Sequence, residues 1–380
     1  MVIMSDDIFN SRLKRARDVF DFKVGDRTPV LNCCSGWAFY DTNVNAWQAY
    51  HDYKLLEKTV VEFYSAYDFD CATNSFTNYA FPVLEELGNT NYELDKETGV
   101  LSVKDHSFIF PEDYVEAAKD VNKFNKVAFQ RKFPNTTTKT FAKAVSKFLE
   151  FGQFSGNAGS MWKDKIQVPL MYDSAKMVMP SLEILNASTR GIKDLSVDLR
   201  RHKEELKTYL NGYWEQNALP TLKADCNKVP HDQVSDISTS MLAHSILNLK
   251  QFDEIYWPQQ KQVVDAAIEY NLKYYVYCEA QFTRLADHFK DMPRGTFLVY
   301  VEQDDLRELR ALLPNAAIAG GIPTAILGYK TPEEVYEYTK ALICDMGPGY
   351  FVGPDKVLAY KNDATRENLR AMIKASVENK

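Results

Sequence analysis

From about Lys273 onward the chain repeats one unit: a short apolar run, a glycine- or acid-bearing turn, then an amphipathic helix. Tyr274–Cys278 is a near-continuous apolar segment, the pattern of a strand buried on both faces. Phe282–Phe289 follows as a helix, then Thr296–Val301 as a strand, Asp304–Leu313 as a helix and Ala316–Ala319 as a short strand. Thr331-Pro332-Glu333-Glu334 opens the next helix with a capping box and a proline at the first helical position, and Met346-Gly347 ends it. Tyr350-Phe351-Val352 and a closing helix over Thr365–Val377 complete the series. Consecutive units of this kind require parallel strands joined by right-handed crossovers. Functional groups then gather at the C-terminal ends of the strands. Those positions hold Cys278-Glu279, Glu302, Gly320-Gly321 and Gly353-Pro354-Asp355.

The N-terminal part offers less regular material. Asp7–Phe22 has helical spacing, Pro29–Cys34 reads as a first strand and Ser35–Asp41 as an aromatic loop. A helix is expected over Asn45–Tyr67 and a strand at Phe69–Thr73. Tyr92–Val103 reads as a hairpin turning at Glu97-Thr98-Gly99. Phe141–Phe154 and Asp198–Gln216 read as helices, and Ile166–Tyr172 as a strand. Ser155–Ser160 lacks the Lys-Ser or Lys-Thr of a phosphate loop and reads as a mobile connection or lid. With no linker or repeat, 380 residues suit one α/β domain, a (β/α)8 TIM barrel with N-terminal helical and hairpin insertions.

The charge of −7 argues against a nucleic-acid partner, which would want a basic stripe. No apolar run approaches the roughly 20 residues of a membrane span, and Met1–Arg17 lacks a signal core. The six cysteines are scattered, with no paired spacing. A cytoplasmic, reduced protein is expected.

Glu279 and Glu302 stand out as catalytic candidates, because neighbouring strands lie about 4.8 Å apart and two strand-end carboxyls would converge on one ligand. Each has a structural alternative, since Glu279 could favour a helix N-terminus and Asp304 beside Glu302 could cap the next helix. Trp37, Phe39 and Tyr40 could pack a ring-shaped substrate or simply fill core.

Gly320-Gly321-Ile322-Pro323, Leu327-Gly328-Tyr329-Lys330-Thr331-Pro332-Glu333-Glu334-Val335 and Glu367-Asn368-Leu369-Arg370-Ala371-Met372 resemble the uroporphyrinogen decarboxylase superfamily, as does the first-strand entry Asp26-Arg27-Thr28-Pro29-Val30. The likeness covers both ends of the chain and is weak across residues 86–165. It implies one of two activities: decarboxylation of a porphyrin precursor, or methyl transfer involving corrinoid proteins or coenzyme M. Decarboxylation needs arginines close after the first strand, yet none occurs between Arg27 and Arg131. The thiol-activating zinc site needs a His-x-Cys strand end and a later cysteine. Here Cys278 is kept, Val276 stands at the histidine position, and Gly353-Pro354-Asp355-Lys356 at the later one. Tyr277-Cys278-Glu279, Arg284-Leu285, Pro293-Arg294-Gly295 and Val301-Glu302-Gln303-Asp304 are similar instead to members that take methyl groups from ethers, including aromatic ones.

The resemblance thus implies an O-demethylating methyltransferase acting on a small methylated substrate, with cobalamin or another corrinoid carried by a partner protein. An ether is a poor electrophile, so its oxygen needs a Lewis acid or a general acid. A zinc ion would draw on Glu279, Glu302, Cys278 and His244, while the general acid would be Glu279 or Glu302. A homodimer is a possible assembly, and the sequence itself does not set the oligomeric state. A decarboxylase or other lyase, or a binding protein that has kept only the fold, are the alternatives.

Overall fold

The computed structural model describes residues 5–88, 91–172, 174–226 and 231–379; residues 1–4 of the stretch read for a signal core lie outside them. Leu31–Asn32 (β1) pairs in parallel with Cys71–Ala72 (β2), and Tyr92–Leu94 (β3) pairs antiparallel with Leu101–Val103 (β4). Ile237–Met241 (β5), Tyr274–Cys278 (β6), Phe297–Val301 (β7), Ala317–Ile322 (β8) and Tyr350–Pro354 (β9) form a five-stranded sheet, parallel throughout and in chain order. The fold is therefore mixed α/β around a parallel sheet.

Alternation along the strands sorts their side chains into two layers. Tyr275, Tyr277, Leu298, Tyr300, Ala319 and Phe351 share an inner cluster with Leu31, Cys33, Cys71 and Met171. Val276, Cys278, Val299, Val301, Ile318 and Val352 belong instead to the larger outer cluster, against the helices. The first helix, Ser5–Phe20, adds Ala16, Val19 and Phe20 to the inner cluster. Hydrogen bonding continues past both sheet edges. Val352 donates to the Pro29 carbonyl at 3.0 Å, and Val30 bridges Val352 in parallel. On the far side of β2, Ala72 bridges Leu170, Ser235 donates to Met171 at 2.8 Å, and Met177 bridges Ser238 of β5.

The late elements follow the sequence pattern closely. Thr331 forms its capping box with Glu334, and Gly347 ends that helix at φ +59°. The hairpin turns as expected, with Gly99 at φ +69°, and the Asp95 carboxylate accepts from the Glu97 and Thr98 amides at 3.1 and 2.6 Å.

Five details depart from the expectations. The helix expected over residues 45–67 is broken at Asp52, whose carboxylate caps Tyr53–Ser65 by accepting from Lys54 and Leu55. The one expected over 198–216 is broken at His202 into Ile192–Arg201 and Lys203–Tyr213. Trp37–Asp41 is a short helix rather than a loop, because Trp37, Ala38 and Phe39 are buried together. Ser155–Ser160 is neither loop nor lid: the helix Thr138–Ser160 runs through it, anchored by buried Phe154 and Ala158. Of the strand expected at 166–172, Leu170 alone makes a β-bridge. Among the described residues no helix is long and apolar enough to cross a membrane.

Candidate functional site

Because β6 and β7 are neighbours with Cys278 opposite Val301, the next residues, Glu279 and Glu302, leave the sheet side by side. Both follow inner-face tyrosines two positions earlier, Tyr277 and Tyr300, so both continue the inner row. The Tyr277 hydroxyl donates to Glu302 Oε1. Tyr277, part of the Tyr277-Cys278-Glu279 motif, has no role assigned from sequence, although its place two residues before Glu279 puts it on the same face. Asp355, at the end of β9, acts electrostatically on Glu302 and accepts from the Thr324 amide at 3.0 Å.

Burial pushes all three carboxyls up. For Glu279 the low-dielectric surroundings come first and the Glu302 charge second, together raising it to about 7. Glu302 is raised mainly by burial and further by Asp355, while the Tyr277 hydrogen bond and Lys356 pull it back. Asp355 is raised by burial against the hydrogen bonds from Thr324. Glu279 therefore holds its proton up to about 7 beside a second carboxyl whose charge disfavours its ionisation.

Glu279 opens into a cavity of about 380 Å³. Phe39, Tyr40, Tyr50, Tyr79 and Phe81 give it aromatic walls, and Leu101 and Val103 of the hairpin close one side. Phe39 stands edge-on to Phe76 with ring centres 5.9 Å apart, and Tyr50 edge-on to Phe81 at 4.9 Å, the packing that fixes ring orientation. Two of the three expected aromatic contacts, Phe39 and Tyr40, therefore line the cavity with Glu279. Trp37 does not: it is buried, donates its indole N–H to the Ala364 carbonyl at 3.0 Å and packs on Phe63. Tyr50, Tyr79, Phe81 and the hairpin wall come from segments whose chain separation hid them from sequence reading.

Cys278 and His244 meet each other on the outer face instead. Cys278 Sγ is 3.2 Å from His244 Nε2, which in turn is 2.6 Å from the Glu279 carbonyl oxygen. Arg284 reaches His244 Nδ1 at 3.3 Å and the His244 carbonyl at 2.6 Å. Burial lowers His244 to about 4 and pushes the Cys278 thiol up. The imidazole is thus neutral, donating from Nε2 to the carbonyl and accepting from Arg284 at Nδ1. Buried Glu183 braces the same turn, accepting from the Leu242 and Ala243 amides at 2.9 and 2.8 Å and from the Tyr256 hydroxyl at 2.7 Å.

Zinc favours imidazole and thiolate alongside carboxylate. The four ligands expected for it are split, two carboxyls inward and a committed Cys–His pair outward, so the donor set does not fit that ion. Among the described residues no group of three or more His, Cys, Asp or Glu is placed to hold a metal. Asp304, expected to cap the helix after Glu302, instead accepts from the Phe282 and Thr283 amides at 2.9 and 2.6 Å; Asp305 caps Leu306–Leu312.

No family model matches the sequence, and no curated protein matches it. Among solved structures, the chain is similar to a methyltransferase from Methanosarcina mazei, with a TM-score of 0.61 and 14% identity over 97% of this chain and 98% of that one. At that identity the likeness is one of fold.

Proposed function

We propose that this chain is a methyltransferase of the uroporphyrinogen decarboxylase superfamily that takes the methyl group of a small, preferably aromatic, methyl ether and passes it to a corrinoid protein. The observation that carries the reading is a carboxyl raised to about 7 in the lining of an aromatic cavity. The fold shared with a methyltransferase supports it, as do the backbone bridges beyond both sheet edges, which fit an eight-stranded (β/α)8 barrel.

The ring stacks between Phe39, Tyr40 and Tyr79, which brings the ether oxygen to Glu279. In its protonated form Glu279 gives its proton to that oxygen as the methyl C–O bond breaks, so a neutral phenol or alcohol leaves rather than its anion. A reduced corrinoid, when its carrier protein docks, supplies the nucleophile that accepts the methyl group. Glu302, held by Tyr277, keeps Glu279 protonated by disfavouring a second charge beside it. Glu279 then recovers a proton from solvent. No metal ion of this chain is required in the step.

Incubation with reduced cobalamin and a panel of methoxyarenes tests this, since loss of the reduced-cobalamin absorbance reports transfer. The absence of turnover with every methoxy compound sinks the reading. The pH profile carries a sign. Glu279 acts in its protonated form, so transfer is full below about 7 and falls with rising pH above it. Tyr277→Phe removes a hydrogen bond that favours ionised Glu302. Glu302 then carries less charge, pushes Glu279 up less, and the midpoint moves to lower pH. A midpoint that stays put or rises contradicts the coupling.

A further inference from the structure

From Val121 through Leu149 the chain carries seven basic side chains and no acid, although acids outnumber bases 52 to 45 overall. A charged run is commonly just a solvated face. This one is interleaved with exposed apolar side chains. On the helix Thr138–Ser160, Phe141, Val145, Phe148, Leu149 and Gly152 recur at helical spacing on one side. Phe148 is 56% and Leu149 67% exposed, and a side chain built on Gly152 would meet nothing within 4 Å. The neighbouring helix, Val121–Lys132, adds exposed Phe129, and a cleft of about 670 Å³ lies between Phe129, Phe133 and Phe141. Among the described residues Lys123, Lys126 and Lys139 make no ion pair, while Lys143 reaches Glu86 only at 3.8 Å.

We infer that this face docks an acidic protein surface bearing apolar knobs. Exposed apolar patches of this kind mark interaction sites. The charge decides among occupants. A second copy related by a two-fold would set lysines against their own counterparts, whereas an acidic partner is steered in. The Phe129–Phe133–Phe141 cleft beside the exposed helix face is a recess that an apolar knob of a protein partner fills and a flat lipid surface does not. The face also flanks the cavity: Ala144 packs with Leu87, Val83 and Leu84, in and just after the helix Phe81–Glu86, whose Phe81 forms a cavity wall. That the partner is the methyl-accepting protein rests on the function proposed above; the docking itself does not.

The test is fluorescence anisotropy of the full chain with a labelled helical peptide carrying glutamates on one face and leucine and phenylalanine on the other. Saturable binding is expected, weakened at least about tenfold by Lys139→Glu with Lys143→Glu, by Phe148→Ser, and by raised salt. These exposed substitutions leave the melting temperature and methyl transfer to free cobalamin unchanged, which separates this proposal from the catalytic one. No saturable binding, or equal binding of a lysine-for-glutamate peptide, overturns it. So does binding that ignores Phe148→Ser, is confined to phosphatidylserine vesicles, or gives way to Phe148-dependent self-association in sedimentation equilibrium.

Discussion

Glu279→Gln slows methyl transfer from an unactivated methoxyarene by a factor between about a hundred and ten thousand, the range over which a positioned general acid acts. Glutamine keeps the shape, and its amide can still donate a hydrogen bond as the protonated carboxyl does, but it has no acidic proton to give. The loss appears in kcat, because the aromatic walls that bind the ring are untouched and the proton is needed only as the C–O bond breaks. The variant also loses the decline of rate above about pH 7, since the titrating group is gone. The sharper measurement compares substrates. An electron-poor methoxyarene, such as a nitro-substituted one, leaves as a stable phenolate and needs less protonation, so the Glu279→Gln defect shrinks with it. A defect equal across the leaving-group series would show that Glu279 positions substrate without donating a proton. Glu302→Gln is the complement. It removes the neighbouring charge that pushes Glu279 up, so it moves the pH midpoint down and leaves the rate at low pH near wild type.

That pair was legible in the sequence because parallel β/α units have a fixed geometry. Once Tyr274–Cys278 and Thr296–Val301 were read as adjacent parallel strands, the residues just past their ends had to be neighbours, and the register of Cys278 opposite Val301 makes them so. The alternation that put Cys278 with Val276 also placed it away from Glu279. The split of the expected ligand set is the same rule taken one residue further. His244 was harder, because its direction depends on Arg284 and on a carbonyl across the strand pair, contacts with no local signature.

The cavity wall was only half legible. Phe39 and Tyr40 announced themselves as an aromatic cluster after a strand, but Trp37 in the same cluster turns into the core. In the short helix Trp37–Asp41, residues two apart face differently, whereas the loop expected there assigned no direction. Helix breaks failed for a related reason. Asp52 and His202 sit inside runs with good helical spacing, and capping by Asp52 of the second segment competes with continuing the first. Ser155–Ser160 erred the other way: its glycines suggested a loop, and buried Phe154 and Ala158 hold it helical despite their propensity.

Asp198→Ala destabilises the chain by about 3–5 kcal/mol, the cost of removing the two-pronged partner of a buried guanidinium, which among the described residues keeps only the Asp194 carboxylate at 3.4 Å. Asp198 is 1% and Arg190 6% exposed. They form a two-pronged pair at 2.6 and 3.0 Å, and the Tyr114 hydroxyl donates to the same carboxylate at 2.6 Å. Arg190 also donates to the Ile109 carbonyl at 3.2 Å, while its own carbonyl accepts from Ser107 at 2.9 Å. Ser107 and Ile109 lie just after the hairpin that supplies Leu101 and Val103 to the cavity. The pair therefore ties the hairpin's exit to the helix Ile192–Arg201, through contacts that involve neither Glu279 nor Glu302. Loss of Asp198 should lower the urea midpoint with little change in slope, and in the folded fraction raise KM for the methoxyarene more than it lowers kcat. Arg190→Met combined with Asp198→Leu removes both charges and recovers most of the stability, since a buried pair and apolar residues of similar volume are often close in free energy. Recovery of stability without recovery of KM would place the hairpin's anchoring in the Arg190 hydrogen bonds themselves. Full recovery of both would place it in packing alone, and an Asp198→Ala variant as stable as wild type would show that the pair is not buried in solution as it is here.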